Sequence, residues 1–121
     1  MGAAHTVLRT RVGIVGGGPA GLMLSHLLAQ AGIGCIVVEK RDYETIRTTH
    51  RAGILEHGSV RMLTEDGVSN RVLTDGHRHD GIDLRFGGAS HRIDFQDLVG
   101  ESVWLYPQNE VFVDLAAARE R

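Results

Sequence analysis

Val12-Gly13-Ile14-Val15-Gly16-Gly17-Gly18-Pro19-Ala20-Gly21-Leu22 is the stretch whose reading decides the fold. The apolar run Val12, Ile14 and Val15 reads as a strand, and the turn after it fits G-x-G-x-x-G at Gly16, Gly18 and Gly21. An apolar helical segment follows from Leu22 to Ala31, then a second strand from Cys35 to Val38. That strand ends at Glu39, about 20 residues beyond the last glycine, where a dinucleotide site places its acid. Strand, glycine turn, helix, strand and acid in this order form a βαβ unit fitted to a dinucleotide.

Each part has a physical task. Gly16 lets the chain turn sharply out of the strand. Gly18, without a Cβ, lets backbone N–H groups approach a pyrophosphate, and Gly21 lets the helix pack closely on the sheet. The helix N-terminus offers unpaired N–H donors and partial positive charge to phosphates. Pro19 fits the first turn, where its missing N–H is no loss. Glu39 is placed to accept both hydroxyl hydrogens of an adenosine ribose, and its charge disfavours a 2′-phosphate there.

The 121 residues suffice for one domain with a real core. A net charge of −2, with Lys40 the sole lysine and no basic run, argues against a nucleic-acid partner. No apolar stretch approaches the roughly 20 residues of a membrane span. Met1 to Arg11 has arginines but no apolar core of a secretory signal. Cys35 is the only cysteine, so no internal disulfide forms, and the expected compartment is the cytoplasm. Cys35 itself reads as a small buried strand residue.

Outward from the fingerprint, residues 1–10 read as a loose tail and 11–121 as one unit. Leu24, Leu27, Leu28 and Ala31 at helical spacing are expected to pack on the sheet. Lys40 to His50 is polar and reads as irregular with one short helical turn. Gly53 to Glu65 reads as a helix with Gly67 as its C-cap, and a short helix is expected from Ser69 to Leu73. Ile82, Leu84 and Phe86, then Gly87-Gly88, then His91, Ile93 and Phe95 give a β-hairpin signal. Val103 to Tyr106 reads as extended before Pro107, with Trp104 and Tyr106 as core or sheet-packing aromatics. A helix is expected from Asn109 onward, carrying Val111, Phe112, Leu115, Ala116 and Ala118, as the crossover to a further strand. Two or three strands leave much of a doubly wound sheet uncovered, so the chain reads as the front part of a larger protein. The expected class is thus α/β: a Rossmann-like βαβ unit with an added β-hairpin.

Seven histidines raise a metal reading, with His77-Arg78-His79-Asp80 the densest group. No second ligand pair has a recognised spacing, so a solvated loop is the better reading and no metal site is expected. His50, beside Arg51, reads equally as a cofactor contact or an exposed side chain. Neither a G-x-S-x-G elbow nor a P-loop is present.

Four segments carry a more specific likeness. The fingerprint with Glu39-Lys40-Arg41 at the end of the second strand resembles the start of flavoprotein aromatic hydroxylases. Arg51-Ala52-Gly53-Ile54-Leu55-Glu56 narrows this to the 4-hydroxybenzoate 3-monooxygenase group. Arg92-Ile93-Asp94 and Tyr106-Pro107-Gln108-Asn109-Glu110-Val111 agree, in the same order. The resemblance covers nearly all of the chain after the tail and implies the N-terminal part of a larger two-domain FAD-binding fold.

It further implies FAD as cofactor, with the adenosine ribose on Glu39 and the pyrophosphate near Ala20 and Arg51. A guanidinium holds two phosphate oxygens at once and keeps its charge, which suits Arg51 to that place. Ala52, Gly53 and Ile54 would lie along the flavin, and Gln108 would hydrogen-bond the ribityl chain. The reaction implied is hydroxylation of an activated phenolic acid, 4-hydroxybenzoate or similar, with NADPH or NADH as electron donor and O2 as oxygen source. Lys40 and Arg41 supply positive charge for the nicotinamide cofactor, while Thr45, Thr48 and Thr49 depart from the NADPH-specific pattern, which leaves NADH open. A homodimer is also left open. No residue of this chain is named as a catalytic base. Asp66-Gly67, Asp75-Gly76 and Asp80-Gly81 lie in the wrong context for the family's aspartate-glycine segment. Two other readings compete: a truncated, non-catalytic flavin-binding or interaction module, and an NAD-dependent dehydrogenase domain, since Glu39 suits NAD equally well.

Overall fold

A computed structural model describes residues 6–121; the expected tail lies partly outside them, and residues 6–10 carry no regular element. The elements run β1 (Val12–Val15), α1 (Pro19–Gln30), β2 (Cys35–Val38), α2 (Tyr43–Thr48), β3 (Ile54–Leu55), α3 (His57–Glu65) and α4 (Arg71–Asp75). They continue with β4 (His77–His79), β5 (Gly81–Phe86), β6 (Ala89–Asp94), α5 (Phe95–Val99), β7 (Val103–Leu105) and α6 (Gln108–Glu120). The α/β class and the βαβ unit with its added hairpin are as the sequence reads.

β1 and β2 pair in parallel, from Val12 opposite Cys35 to Val15 opposite Val38. A parallel pair needs a crossover, and α1 provides it. β5 and β6 form the hairpin around Gly87 and Gly88, both at positive φ. A third, antiparallel sheet has the order β3-β7-β4. Here β7 is central, joining two short strands remote from each other in sequence.

That sheet explains two departures from expectation. Ile54 and Leu55 are not in a helix: they pair with Leu105 and Trp104, and α3 begins only at His57. His77 to His79 is not a loop but an exposed strand, since β7 offers its free edge there. Residues 43–48 make a full short helix, because Asp42 caps it by accepting from the Thr45 N–H at 2.7 Å. α4 starts two residues later than Ser69, whose hydroxyl accepts from the Arg71 N–H. Phe95 opens α5 rather than continuing the hairpin, under an Asp94 cap. Gly67, at φ +72, follows the end of α3 as expected.

The core lies between α1, α3, α4, α6 and the inner face of the β7 sheet. Met23, Val60, Leu63, Val68, Val72, Tyr106, Val111, Leu115 and Ala118 form it, with Leu22, Leu27, Leu55 and Trp104 packed against them. The buried residues of α1 are Met23, Ser25 and His26, whereas Leu24 is half exposed and Ala31 exposed. His26 turns inward because its Nε2 lies 2.7 Å from the Asp66 carbonyl, so the ring ties α1 to the end of α3.

Candidate functional site

β1 and β2 both end on one side of the parallel pair, and the apolar side chains there are uncovered: Val15 is 91% exposed and Val38 53%. In open α/β sheets the crevice beyond the carboxyl ends of the strands is where ligands bind. The crevice here has a volume of about 540 Å³. Gly16, Gly18, Glu39, Lys40, Arg51 and Gln108, brought from four separated segments, all line it.

One wall is the glycine turn. Gly16 takes φ +111, and its N–H donates to the Val38 carbonyl at 2.8 Å, fixing the turn to the end of β2. At Gly18 an added Cβ would meet no atom within 4 Å, so the space in front of it is open. Gly21 is opposite in kind: a Cβ there would stand 2.0 Å from the Gly16 carbonyl oxygen and 3.2 Å from Ile14 Cγ2. Gly21 therefore sets how closely α1 approaches the turn. No side chain caps α1 and no acid stands in its first turn, so its leading N–H groups are left for an outside acceptor.

Glu39 stands across from this wall. Its Oε2 accepts from the Gly17 N–H at 2.9 Å, and its Oε1 from the Arg41 N–H at 3.0 Å and Arg41 Nε at 3.1 Å. The Arg41 side chain, then the Arg41 and Gly17 backbone N–H groups, lower its pKa to about 2. A carboxylate held this way is fully ionised and acts only as an acceptor near neutral pH. Gly17 thus has a task the motif alone does not reveal: its N–H aims the acid, and a Cβ there would lie 3.0 Å from Glu39 Cβ.

The far wall comes from α2, the segment after it and the first turn of α6. Arg51 and Gln108 face the same space, with Ile46, Thr49, Asn109 and Phe112 beside them. Arg51 is exposed and Gln108 partly buried. Tyr43 packs on Phe112 with ring centroids 5.3 Å apart, holding α2 against α6. His50 is exposed and Thr45 does not line the crevice.

The remaining sequence candidates stand elsewhere. Ala20 is exposed on α1 and lines a neighbouring apolar groove. Ala52 is exposed and Ile54 is 70% exposed on the short edge strand, both beyond the crevice wall. Gly53 is buried behind it: a Cβ would lie 2.1 Å from the Tyr106 carbonyl oxygen and 2.8 Å from the Gln108 nitrogen. The Arg-Ala-Gly and Tyr-Pro-Gln segments, which the sequence treats separately, are therefore in backbone contact.

A buried polar group escaped the sequence reading. Asp114, 5% exposed, accepts from the Tyr106 hydroxyl and from Arg71 Nη1, each at 2.7 Å. Arg71 also donates to Glu110 at 2.8 Å. Burial, and then the hydrogen bond to Asp114, raise the Tyr106 pKa. This cluster fastens α4 and the end of β7 to α6. The signal available was an aspartate at helical spacing among Val111, Phe112, Leu115 and Ala118, the apolar side chains of the buried stripe of α6.

Comparison with known proteins agrees with this geometry. A family model described as "FAD binding domain" matches residues 9–121. The p-hydroxybenzoate hydroxylase of Acinetobacter baylyi is 42% identical over 94% of this chain and 28% of its own length. Pentachlorophenol 4-monooxygenase of Sphingobium chlorophenolicum is 29% identical over 80% of this chain and 18% of its length. Among solved structures, PqsL of P. aeruginosa in complex with 2-aminobenzoylacetate superposes with a TM-score of 0.80 at 22% identity. That match covers 92% of this chain and 30% of PqsL, a likeness of fold. The chain thus spans less than a third of the length of these relatives. From the match over residues 9–121 and the 42% identity, this chain belongs to the FAD binding domain family of the flavoprotein monooxygenases.

Proposed function

We propose that the crevice holds the adenosine and diphosphate of FAD, as part of a longer enzyme that hydroxylates a phenolic acid of the 4-hydroxybenzoate type. The observation that carries this reading is the meeting of Gly18, Glu39, Arg51 and Gln108 around one open space.

The residues fit the group. The space in front of Gly18 admits a diphosphate that an alanine Cβ would obstruct. The uncapped start of α1 and the Arg51 guanidinium offer donors and positive charge to its oxygens. Glu39, ionised and aimed by Gly17, accepts the ribose hydroxyls, and Arg41 gives up part of its contact with the carboxylate to make room for them. Gln108 both donates to and accepts from the ribityl chain. Ala20, Ala52, Gly53 and Ile54 border the path of the cofactor beyond the crevice. Lys40, exposed on the rim, supplies charge toward the nicotinamide donor, NADPH or NADH.

When bound, the flavin supplies the redox and oxygen chemistry, and the protein supplies binding, orientation and exclusion of water. Within that division this chain contributes grip, and no residue in it is assigned a proton transfer to the phenol. The test is turnover by the longer protein, given 4-hydroxybenzoate, O2 and either nicotinamide. The expected result is nicotinamide oxidation coupled to a dihydroxybenzoate one oxygen heavier by mass spectrometry. A flavin-loaded protein that hydroxylates none of a panel of phenolic acids would overturn the activity while leaving the cofactor site standing.

A further inference from the structure

The segment that carries Arg51 is pinned at both ends to one turn of backbone. At its far end the Gly53 carbonyl accepts from the Tyr106 N–H at 2.9 Å, and Gly53 presses on Pro107 and Gln108. At its near end stands the C-terminus of α2, where the last carbonyls lack helical partners. Two of them are met locally: Thr45 by the Thr49 hydroxyl, and Ile46 by the Thr49 N–H. A third, Arg47, accepts from Asn109 Nδ2 at 3.1 Å, across 62 residues of sequence.

Asn109 adjoins Gln108, lines the crevice and is 8% exposed. Its Oδ1 is, among the described residues, the buried side-chain atom left without a hydrogen-bond partner. A buried orphan acceptor is a cost, and an apolar side chain of the same shape would avoid it. The carboxamide is thus poorly explained as filler. Its other end does something an apolar residue cannot: it holds the chain entering the Arg51 loop.

We propose that Asn109 is a positioning residue for the cofactor site. By tying the Arg47 carbonyl to the first turn of α6, it fixes the distance between Arg51 and Gln108 across the crevice. The inference rests on the FAD reading above, and it adds a residue that acts on the ligand through Arg51.

The test is a double-mutant cycle on FAD affinity, read by flavin fluorescence during titration of the chain, with thermal unfolding of each variant recorded beside it. The variants are Asn109→Leu, Asn109→Ala, Arg51→Ala and the two pairings with Arg51→Ala. Leucine keeps the branching and the number of side-chain heavy atoms and removes both the latch and the orphan acceptor, so Asn109→Leu is expected to melt close to the parent. Both Asn109 variants are expected to weaken FAD binding about tenfold with Arg51 present, and less than about twofold when Arg51 is already alanine. Equal losses in both backgrounds, or unchanged affinity in Asn109→Leu, would overturn the proposal. If Arg51→Ala itself leaves FAD affinity unchanged while the parent binds FAD, Arg51 does not hold the cofactor and the Asn109 proposal falls with it; if the parent binds no FAD, it is the cofactor reading that fails.

Discussion

Replacing Gly53 by alanine tests whether the two most specific segments of this chain meet as described. The added Cβ would stand 2.1 Å from the Tyr106 carbonyl oxygen, 2.7 Å from Pro107 Cα and 2.8 Å from the Gln108 nitrogen. All three are backbone atoms, so no side-chain rotation relieves the clash; the strands must part by about an ångström or more to restore ordinary contact. Parting them strains the Tyr106 N–H to Gly53 carbonyl bond and the pairing of Ile54 and Leu55 with β7. Overpacking costs typically about 1–3 kcal/mol and a lost hydrogen bond about 0.5–1.5, so the loss expected is roughly 2–4 kcal/mol. For a domain of this size that lowers Tm by roughly 10–25 °C. Trp104, the only tryptophan, sits in β7 and reports the transition by fluorescence during urea unfolding. Gly34→Ala is the control, since a Cβ there meets nothing within 4 Å and φ is ordinary. Equal unfolding midpoints for the two variants would refute the contact between the Arg-Ala-Gly and Tyr-Pro-Gln segments.

Other consequences separate grip from stability. Gly18→Ala faces open space at φ −75, so stability is expected to hold or rise by about 0.4–1 kcal/mol, while FAD affinity in a fluorescence titration falls at least tenfold. Because the Glu39 carboxyl titrates near 2 in the folded chain against an ordinary 4.5, its contribution to stability is complete above about pH 5 and is lost as pH falls toward 2. Glu39→Gln should therefore flatten the acid limb of an unfolding profile, and a limb of unchanged steepness would count against that role. Asp114→Ala leaves the buried Tyr106 hydroxyl without its acceptor and frees Arg71 Nη1, with a cost of roughly 2–4 kcal/mol in chemical denaturation. Tyr106→Phe, which leaves Asp114 its Arg71 partner, should cost about 1–2 kcal/mol in the same assay.

What could be read from the residues follows how local each determinant is. The βαβ unit was legible because its glycines, its helix and Glu39 act over one short stretch, and the hairpin because alternation around Gly87-Gly88 is local too. Ile54-Leu55 and His77-Arg78-His79 were not, because both are strands only by pairing with β7. The first is too short for periodicity to register, and the second is polar and exposed throughout. Leu24 is half exposed where the helical spacing pointed it inward, and His26 is buried because a carbonyl at Asp66, forty residues away, takes its ring inward. In the crevice, Glu39, Arg51 and Gln108 were named from sequence, whereas Gly17, Arg41 and Asn109 were not named for the parts they take there. Gly17 and Asn109 act through hydrogen bonds to partners 22 and 62 residues away, which only the folded chain brings near, while Arg41 meets Glu39 two residues off.

The most direct measurement is a crystal structure of the chain with FAD. The account predicts the ribose hydroxyls within hydrogen-bond distance of Glu39, the diphosphate before Gly18 and the start of α1, and Arg51 on its oxygens. A crevice left vacant at saturating FAD, or a flavin bound elsewhere with Glu39 and Arg51 turned away, would contradict it.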